Sequence, residues 1–337
     1  RMVINFSLAG QLLGRSDILD LARHGLDYVE KVHWQPEQDG YAYTLRDHKP
    51  EDMSQQAYAY SFVLAMHAAA RIAGIHEDNS QITRVYDIME VKFWLPAHSA
   101  YADTISPDGV MSEYRGQNSN MHICEAMIAA YSATEEQRYL DRAKVLAETF
   151  TQRQANLADG LIWEHYTPQF EIDWDYNRND PKNLYRPWGF QPGHQNEWTK
   201  NLLNIYRHDP QQWMLQRAKE LFDRAYQTAW DDEYGGLIYG FDPEGKWCDD
   251  DKYFWVQAES FASAALLYQA SGDAKYREQY NALWRYSWEH FVDHEHGAWW
   301  RVLRRDNAKY NKEKSPCGAK CDYHTLVSCI EALRTLK

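Results

Sequence analysis

The segment LDRAKVLAETF (140–150) is followed by the turn DGLIWEHY (159–166) and then by QNEWTKNLLNIY (195–206). In the first segment, apolar residues recur at i, i+3 and i+4 among charged ones, which predicts an amphipathic helix with one solvated face. The turn, with the aromatic and β-branched run behind it, predicts a short hairpin. The helix after the turn carries fewer charged residues, and the corresponding helix AESFASAALLYQA (258–270) is richer in Ala and apolar residues, a composition that predicts a buried helix.

This unit of outer helix, glycine turn and inner helix recurs five times. The turn glycines or their equivalents, at positions 40, 109, 160, 236 and 297, are spaced 69, 51, 76 and 61 residues apart. Outer helices are predicted at 18–32, 82–94, 139–154, 213–230 and 276–291, and inner helices at 56–73, 121–132, 195–206, 256–270 and 323–336. Residues 1–13 predict one further inner helix without its outer partner.

Eleven helices in this order predict an all-α fold, an (α/α)6 barrel with short β-hairpins between outer and inner helices. The first outer helix of such a ring is expected to be absent from this chain, which begins with Arg1. Buried helices ringed by amphipathic ones satisfy the requirement that each apolar face be covered. The alternative is an irregular helical array. Because no low-complexity linker interrupts the repeat, residues 1–337 are expected to form one domain.

Composition narrows the classes of function. The chain has 36 basic and 49 acidic residues, a formal net charge of −13, which disfavours nucleic acid and anionic membranes as partners. The aromatic residues (14 Trp, 24 Tyr and 11 Phe) suit a cleft for sugars, although an aromatic-rich core would give the same counts. Five cysteines, an odd number, predict a reducing, cytoplasmic location and no disulfide framework. Neither a leader nor a membrane span is expected.

Ionisable residues collect where each hairpin meets its inner helix. These junctions read RGQNSNMH (115–122), RPWGFQPGHQNEW (186–198), YFWVQAES (253–260) and KCDYHT (320–325). Equivalent junctions of a closed ring lie at one mouth. We therefore expect the ionisable side chains of the four junctions to converge, namely His122, His194, Glu197, Glu259 and His324.

Their chemistry is that of acid–base catalysis on an uncharged polar ligand, because an imidazole titrates near working pH. His194 and Glu197 lie one helical turn apart and share a face, and a Glu at the start of an apolar helix, such as Glu259, needs a partner or a function. Each residue also has a structural alternative, for instance core packing for Trp255. Motifs for nucleotide, zinc and serine-hydrolase chemistry are missing from the sequence.

The junction segments, together with DGLIWEHY and DWDYNRNDPKNLYRPWGFQPGHQNEW, resemble the N-acylglucosamine 2-epimerase superfamily. The resemblance extends across most of the chain and is strongest to the superfamily's aldose–ketose isomerases. It implies an (α/α)6 barrel that acts on a free monosaccharide, interconverting D-mannose and D-fructose or D-lyxose and D-xylulose through a cis-enediol, with no metal or cofactor. A monomer or homodimer is expected.

By motif position, the resemblance implies that His194 and His324 are the acid–base pair. The residues implied to open the sugar ring or bind its hydroxyls are Arg1, Tyr58, Asn118, His122, Arg186, Glu197, Trp255, Glu259 and Lys320. A sugar 2-epimerase of the mannose/glucose type would use the same histidines. A glycoside hydrolase, which needs two carboxylates, or a non-catalytic sugar-binding protein would also be compatible with the sequence.

Overall fold

The computed structural model describes residues 1–315 and 321–336, and these residues divide into two compact units. Unit 1 comprises Arg1–Thr149 and His165–Asp173, and unit 2 comprises Phe150–Glu164 and the chain from Trp174 onward. The prediction that the whole chain forms one domain stays a prediction. The α-helices of the described residues are α1 Met2–Leu13, α2 Ser16–Tyr28, α3 Ala57–Ile72, α4 Ser80–Lys92, α5 Gln117–Thr134, α6 Gln137–Glu148, α7 Pro192–His208, α8 Gln212–Ala229, α9 Phe254–Ser271, α10 Ala274–Tyr286 and α11 Tyr323–Thr335.

In unit 1, α3 lies between α1 and α5, and these three are the inner helices. The helices α2, α4 and α6 pack on α1, α3 and α5 respectively, and their charged faces remain solvated. Small residues let the inner helices approach one another, and Ala65, Ala68, Ala69 and Ala70 of α3 are all buried. The predicted alternation of inner and outer helices is therefore confirmed within this unit.

In unit 2, α9 lies between α7 and α11, while α8 and α10 pack on α7 and α9 from outside. Every residue of α9 from Phe254 to Leu267 is buried. That burial confirms the prediction from its sequence, since a helix that is apolar nearly all round has no face to present to water.

Three outer helices end in a wider turn than predicted. The segments Val29–His33, Thr149–Gln154 and Ser287–Phe291 continue α2, α6 and α10 as π-helical turns. The hydrophobic period extends through these segments, so the sequence predicted them as continuous helix, whereas their backbone hydrogen bonds span one more residue.

The strands form seven two-stranded antiparallel pairs in the described residues. Four pairs are hairpins: β1 Trp34–Gln35 with β2 Gly40–Tyr41, β3 Thr44–Arg46 with β4 Lys49–Asp52, β6 Trp94–Leu95 with β7 Ala100–Tyr101, and β11 Gly240–Phe241 with β12 Trp247–Asp249. The other three are β5 Gln55–Gln56 with β8 Thr104–Ile105, β9 Arg115–Gly116 with β10 His165–Tyr166, and β13 Lys252–Tyr253 with β14 Val302–Leu303.

These last three pairs fix the start of an inner helix. β5, β9 and β13 directly precede α3, α5 and α9, and each pairs with a strand after the next outer helix. At α5, the Asp103 carboxylate also accepts hydrogen bonds from the Gly116 amide (2.8 Å) and the Ser119 hydroxyl (2.7 Å). The beginning of α5 is thus held from outside the helix, and α5 starts four residues before its predicted position.

Among the helices of the described residues, none combines the length and the apolar character that a membrane crossing requires.

Candidate active site

Most of the predicted site residues lie in the first two turns of inner helices. Tyr58 is on α3, Asn118 and His122 are on α5, His194 and Glu197 on α7, Trp255 and Glu259 on α9, and His324 on α11, while Arg1 directly precedes α1. The N-terminal end of a helix carries a partial positive charge, which stabilises nearby carboxylates and developing oxyanions. The repeat therefore places these side chains where anionic groups are favoured.

His194 is oriented by a carboxylate that the sequence analysis did not single out. Its Nδ1 lies 3.0 and 2.9 Å from the two carboxylate oxygens of Glu164, which follows the DGLIW turn. The Glu164 and His194 side chains are only 4% and 10% exposed. Since a carboxylate oxygen accepts, Nδ1 carries the proton and Nε2 of the neutral ring is left with its lone pair.

His324 is oriented in the same way by Glu259. Its Nδ1 lies 2.7 Å from Oε1 of Glu259 and 3.8 Å from Oε1 of Glu197. All three side chains are buried. The sequence prediction that His324, Glu197 and Glu259 converge is met within unit 2.

Both imidazole rings lie against the indole of Trp255. The ring centroid of Trp255 is 5.1 Å from that of His194 and 5.6 Å from that of His324. This contact depends on a glycine beside His194, because a Cβ on Gly193 would lie 2.4 Å from Cζ3 of Trp255. The absence of a side chain at Gly193 lets α7 and α9 approach closely enough for the two histidines to share one indole.

A neutral phenol borders the same cluster. Tyr239 packs its ring 5.8 Å from that of Trp255 and 4.0 Å from that of Tyr253. Burial, reinforced by the negative charge of neighbours that include Glu164 and Glu197, raises the pKa of Tyr239 well above its usual range. Tyr239 therefore stays protonated and adds a neutral O–H group to the cluster.

One of the two glutamates, Glu259, is paired with a buried lysine. Ligand-type atoms of Glu197, Glu259 and His324 lie within 4.8 Å of one another, a spacing that one divalent ion could bridge. The ammonium group of Lys200, however, lies 2.7 Å from Oε2 of Glu259, and this lysine side chain is 3% exposed. We therefore assign the charge compensation of Glu259 to Lys200.

Arg186 lies in the long loop before α7. Its Nη1 donates to the Tyr176 hydroxyl (2.7 Å), and its carbonyl oxygen accepts from the Asn177 amide (2.7 Å). The acidic run at positions 249–251 anchors this loop, because Nζ of Lys182 lies 3.1 to 3.5 Å from all three carboxylates. Contacts of both Arg186 and Lys182 therefore hold the loop in place.

Unit 1 brings together three of the predicted residues. The guanidinium of Arg1 donates to the Tyr58 hydroxyl and lies 4.0 Å from the ring centroid of Phe62. The Tyr58 and His122 rings are in edge contact at 5.2 Å, and Nδ1 of His122 lies 3.1 Å from Oε2 of Glu125. His122 therefore has a carboxylate partner of the same kind as His194 and His324.

Asn118 carries a buried acceptor: its Oδ1 has no hydrogen-bond partner among the described residues. Buried polar atoms are nearly always paired, so a bound ligand or water is the natural partner. Lys320, the remaining predicted binding residue, lies outside the described residues.

Glu164, Lys200 and Tyr239 were not predicted. Glu164 and Tyr239 follow glycine turns and resemble ordinary hairpin residues in sequence. Lys200 lies one turn beyond Glu197, and its cationic side chain within a helix that was predicted to be buried is the one local signal that could have drawn attention to it.

Within unit 2, the arrangement is suited to moving protons to and from carbon. Two imidazoles, each oriented by a buried carboxylate, are typical general acid–base groups. Glycosidic cleavage is disfavoured, because both oxygens of Glu259 are engaged, one by His324 and the other by Lys200. A hydrolase would need two carboxyl groups available to the scissile bond.

Comparison with known proteins agrees with this chemistry. The profile of the N-acylglucosamine 2-epimerase (GlcNAc 2-epimerase) family matches residues 1–328. The D-mannose isomerase of Marinomonas mediterranea is 48% identical over all of this chain and 85% of its own length. The D-mannose isomerase of Pseudomonas cannabina pv. alisalensis is 31% identical over 91% of this chain and 76% of its own.

A crystal structure of D-mannose isomerase has a TM-score of 0.96 to this chain at 47% identity, covering 99% of this chain and 85% of the other. This similarity confirms the fold class predicted from the repeat, (α/α)6.

Proposed function

The chain belongs to the N-acylglucosamine 2-epimerase family, and from this premise we propose that it is an aldose–ketose isomerase that interconverts D-mannose and D-fructose without a metal or cofactor. Two relatives named D-mannose isomerase, at 48% and 31% identity, support the choice of reaction. The observation that carries it is the pair of imidazoles, each bonded through Nδ1 to a buried carboxylate and both against Trp255.

The carboxylates decide which nitrogen reacts. Because Glu164 and Glu259 accept from Nδ1, the neutral rings of His194 and His324 offer Nε2 as base. The resulting imidazolium is stabilised by the same carboxylate, so the proton can be held and then returned.

Proton transfer begins on the open-chain aldose. One of the two histidines takes the C2 proton, the C2–H electrons form the C1=C2 bond, and O1 takes up a proton to give the cis-enediol. The O2 proton then leaves, C2=O2 forms, and the C1=C2 electrons take the proton at C1. The sum is a ketose with no net gain or loss of protons or electrons.

Neighbouring groups would bind the sugar and its developing negative charge. We propose that Trp255 covers an apolar face of the sugar, and that Glu197 and Arg186 contact its hydroxyls. Glu259 assists ring opening through His324. Arg1, Tyr58, Asn118 and His122 of unit 1, and Lys320, are proposed as further sugar-binding residues, each expected to raise KM more than it lowers kcat when replaced.

The substrate we propose is a free monosaccharide, with D-lyxose as a second aldose, and the protein acts as a monomer or homodimer. We also propose a cytoplasmic location, supported by the odd number of cysteines.

The direct test is an assay for D-fructose from D-mannose by the wild-type protein and by His194→Asn and His324→Asn. Loss of a positioned acid–base group is expected to lower kcat by about 10²–10⁴-fold, with thermal unfolding unchanged by more than a few degrees. His296→Asn is the matched control, because His296 is exposed on a turn. Full activity in both site variants would remove these histidines from the mechanism.

A 2-epimerase is the second candidate, and the presence of two such imidazoles favours it. If the second histidine returns a proton to C2 from the opposite face, D-mannose becomes D-glucose instead of D-fructose. Identification of the product of D-mannose as D-fructose or D-glucose separates the two reactions.

A further inference from the structure

Lys200 is a buried lysine in the middle of the His324 cluster. It lies one turn beyond Glu197 on α7, its side chain is 3% exposed, and its Nζ is 2.7 Å from Oε2 of Glu259. A buried ammonium group is rare in proteins and requires a charged partner. Here the partner is the carboxylate that holds His324.

Glu259 is shared between two cations or potential cations. Its Oε2 accepts from Lys200, and its Oε1 accepts from Nδ1 of His324 at 2.7 Å. The ionisable groups of unit 2 around His324 include Glu197 and Lys200 from α7 and Glu259 from α9, with Tyr239 on the border of the cluster.

Without the lysine, this cluster would hold two buried carboxylates beside one imidazole. Two carboxylates in one buried site tend to share a proton, because their like charges disfavour double ionisation. A protonated Glu259 would donate to Nδ1 of His324 instead of accepting from it, and the ring hydrogen would then sit on Nε2. In that tautomer Nε2 has no lone pair for a substrate proton.

We propose that Lys200 is a positioning residue that keeps Glu259 ionised and thereby keeps Nε2 of His324 available as a base. This inference rests on the proposed function for the role of His324. Lys200 touches neither the substrate nor the reacting atoms and acts through Glu259.

The test is ¹⁵N NMR of the His324 imidazole across pH, assigned with His324→Gln, in the wild type and in Lys200→Met, Lys200→Gln and Lys200→Arg. In the wild type, Nε2 should lose its hydrogen as pH rises and stay bare above that midpoint. In Lys200→Met and Lys200→Gln, removal of the positive charge lets the cluster bind a proton more readily, on Glu259 or on His324. Nε2 should therefore stay protonated to a pH about one unit higher or more.

Lys200→Arg retains the charge and should keep the wild-type midpoint. Lys275→Met is the matched control, since Lys275 pairs with Asp223 on the outer helices and is 46% exposed. The acid limb of kcat against pH should move upward in Lys200→Met and Lys200→Gln only. Thermal unfolding identifies a variant that fails to fold. If Lys200→Met does not fold, the test relies on Lys200→Gln, which retains a hydrogen-bond donor for Glu259.

An unchanged Nε2 midpoint in folded Lys200→Met and Lys200→Gln would overturn the inference, as would an equal shift in Lys200→Arg. The NMR result is independent of turnover. If the wild-type protein does not isomerise mannose but the Nε2 midpoint of His324 depends on Lys200, the proposed function is refuted. The inference that Lys200 controls the protonation of Glu259 and His324 then stands. If mannose is isomerised but the Nε2 midpoint of His324 does not change on replacement of Lys200, this inference alone is refuted.

Discussion

His194 and His324 are each oriented by a carboxylate, and the two carboxylates come from different parts of the chain. The partner of His194, Glu164, comes from the segment after a glycine turn, whereas the partner of His324, Glu259, comes from the neighbouring inner helix α9. Both carboxylates contact Nδ1, so both rings present Nε2. At the level of single residues, the imidazole tautomer is the property that the surroundings control.

Replacing Glu164 tests this control. In Glu164→Leu, the carboxylate that accepts the Nδ1 hydrogen of His194 is removed. We expect kcat to fall by up to roughly 10²–10⁴-fold, which is the contribution of a positioned acid–base group. Glu164→Gln retains an amide oxygen as acceptor and should lose less. Steady-state kinetics with D-mannose decide the matter, and wild-type kcat in Glu164→Leu would show that His194 needs no oriented partner.

The sequence predicted both histidines and Glu259, the partner of His324, but it did not predict Glu164, the partner of His194, or Lys200. His194, Glu197, Glu259 and His324 occupy equivalent places in a repeat, which is a pattern that a single sequence displays. Glu164 and Lys200 act through contacts between segments that are 30 and 59 residues apart. Such contacts leave no local periodicity, so the structure was needed to find them.

At the level of secondary-structure elements, the approach of α7 to α9 depends on Gly193. In Gly193→Ala, the added Cβ would meet Trp255 at 2.4 Å and must displace the indole. We expect unfolding free energy to fall by about 1–3 kcal/mol, as for other overpacked cores, together with a loss of kcat. Chemical denaturation measures the first effect.

The double variant Gly193→Ala/Trp255→Phe provides the control, because the smaller ring leaves room for the methyl group. It should recover part of the stability relative to the sum of the two single changes. Strict additivity would mean that the methyl group is accommodated elsewhere.

A second contact between elements predicts a pH effect on stability. Glu30, in the π-helical turn after α2, accepts hydrogen bonds from the Tyr41 hydroxyl (2.7 Å) and from Nε2 of His67 on α3 (3.1 Å), and it pairs with Arg84 on α4. Burial opposes ionisation, but these partners outweigh it and lower the pKa of Glu30 from 4.5 to about 2.

A lowered carboxyl pKa stabilises the fold above pH 4.5, and this contribution is lost as pH falls from 4.5 to 2. Glu30→Gln should therefore be less stable than the wild type at pH 7, by on the order of 2–3 kcal/mol. The gap should narrow below pH 4.5 in urea denaturation series. Glu37→Gln, an exposed neighbour, should show no such gap, and a pH-independent gap for Glu30→Gln would contradict the assignment.

The helical repeat was predictable at this scale, while the strand pairs were only partly so. The hydrophobic period marks each helix, and the predicted turn at Gly40 marks the hairpin of β1 with β2. The hairpins of β3 with β4 and of β6 with β7 turn without a glycine, so the glycine signal could not predict them. The pair of β9 with β10 joins residues about fifty positions apart, and its two-residue strands are too short to show a pattern. The ends of the outer helices were equally hard to predict, since π-helical turns continue the same apolar period.

At the scale of the whole molecule, the chain combines a strong net negative charge of −13 with an uncharged proposed substrate. Binding of a neutral sugar gains nothing from long-range attraction, so turnover should depend little on salt. Composition argues against polyanionic partners, but it could not select among sugars, because hydroxyl recognition depends on side-chain geometry.

Metal independence is a further prediction for the intact protein. Lys200 already neutralises Glu259, so dialysis against EDTA should leave kcat and KM for D-mannose unchanged. The measurement is activity after chelation, with and without added Mg²⁺, Mn²⁺ or Zn²⁺. Loss on chelation with recovery by one ion would place that ion in the mechanism.

The central claim is that a histidine removes the C2 proton, which exchanges with solvent, and that the resulting enediol is then protonated at C1. Incubation of the protein with D-mannose in D₂O, followed by NMR, tests it most directly. We predict D-fructose with deuterium at C1, because the proton on an imidazole exchanges with solvent. D-glucose labelled at C2 would identify a 2-epimerase, and fructose without deuterium at C1, or no reaction of mannose, would contradict the account.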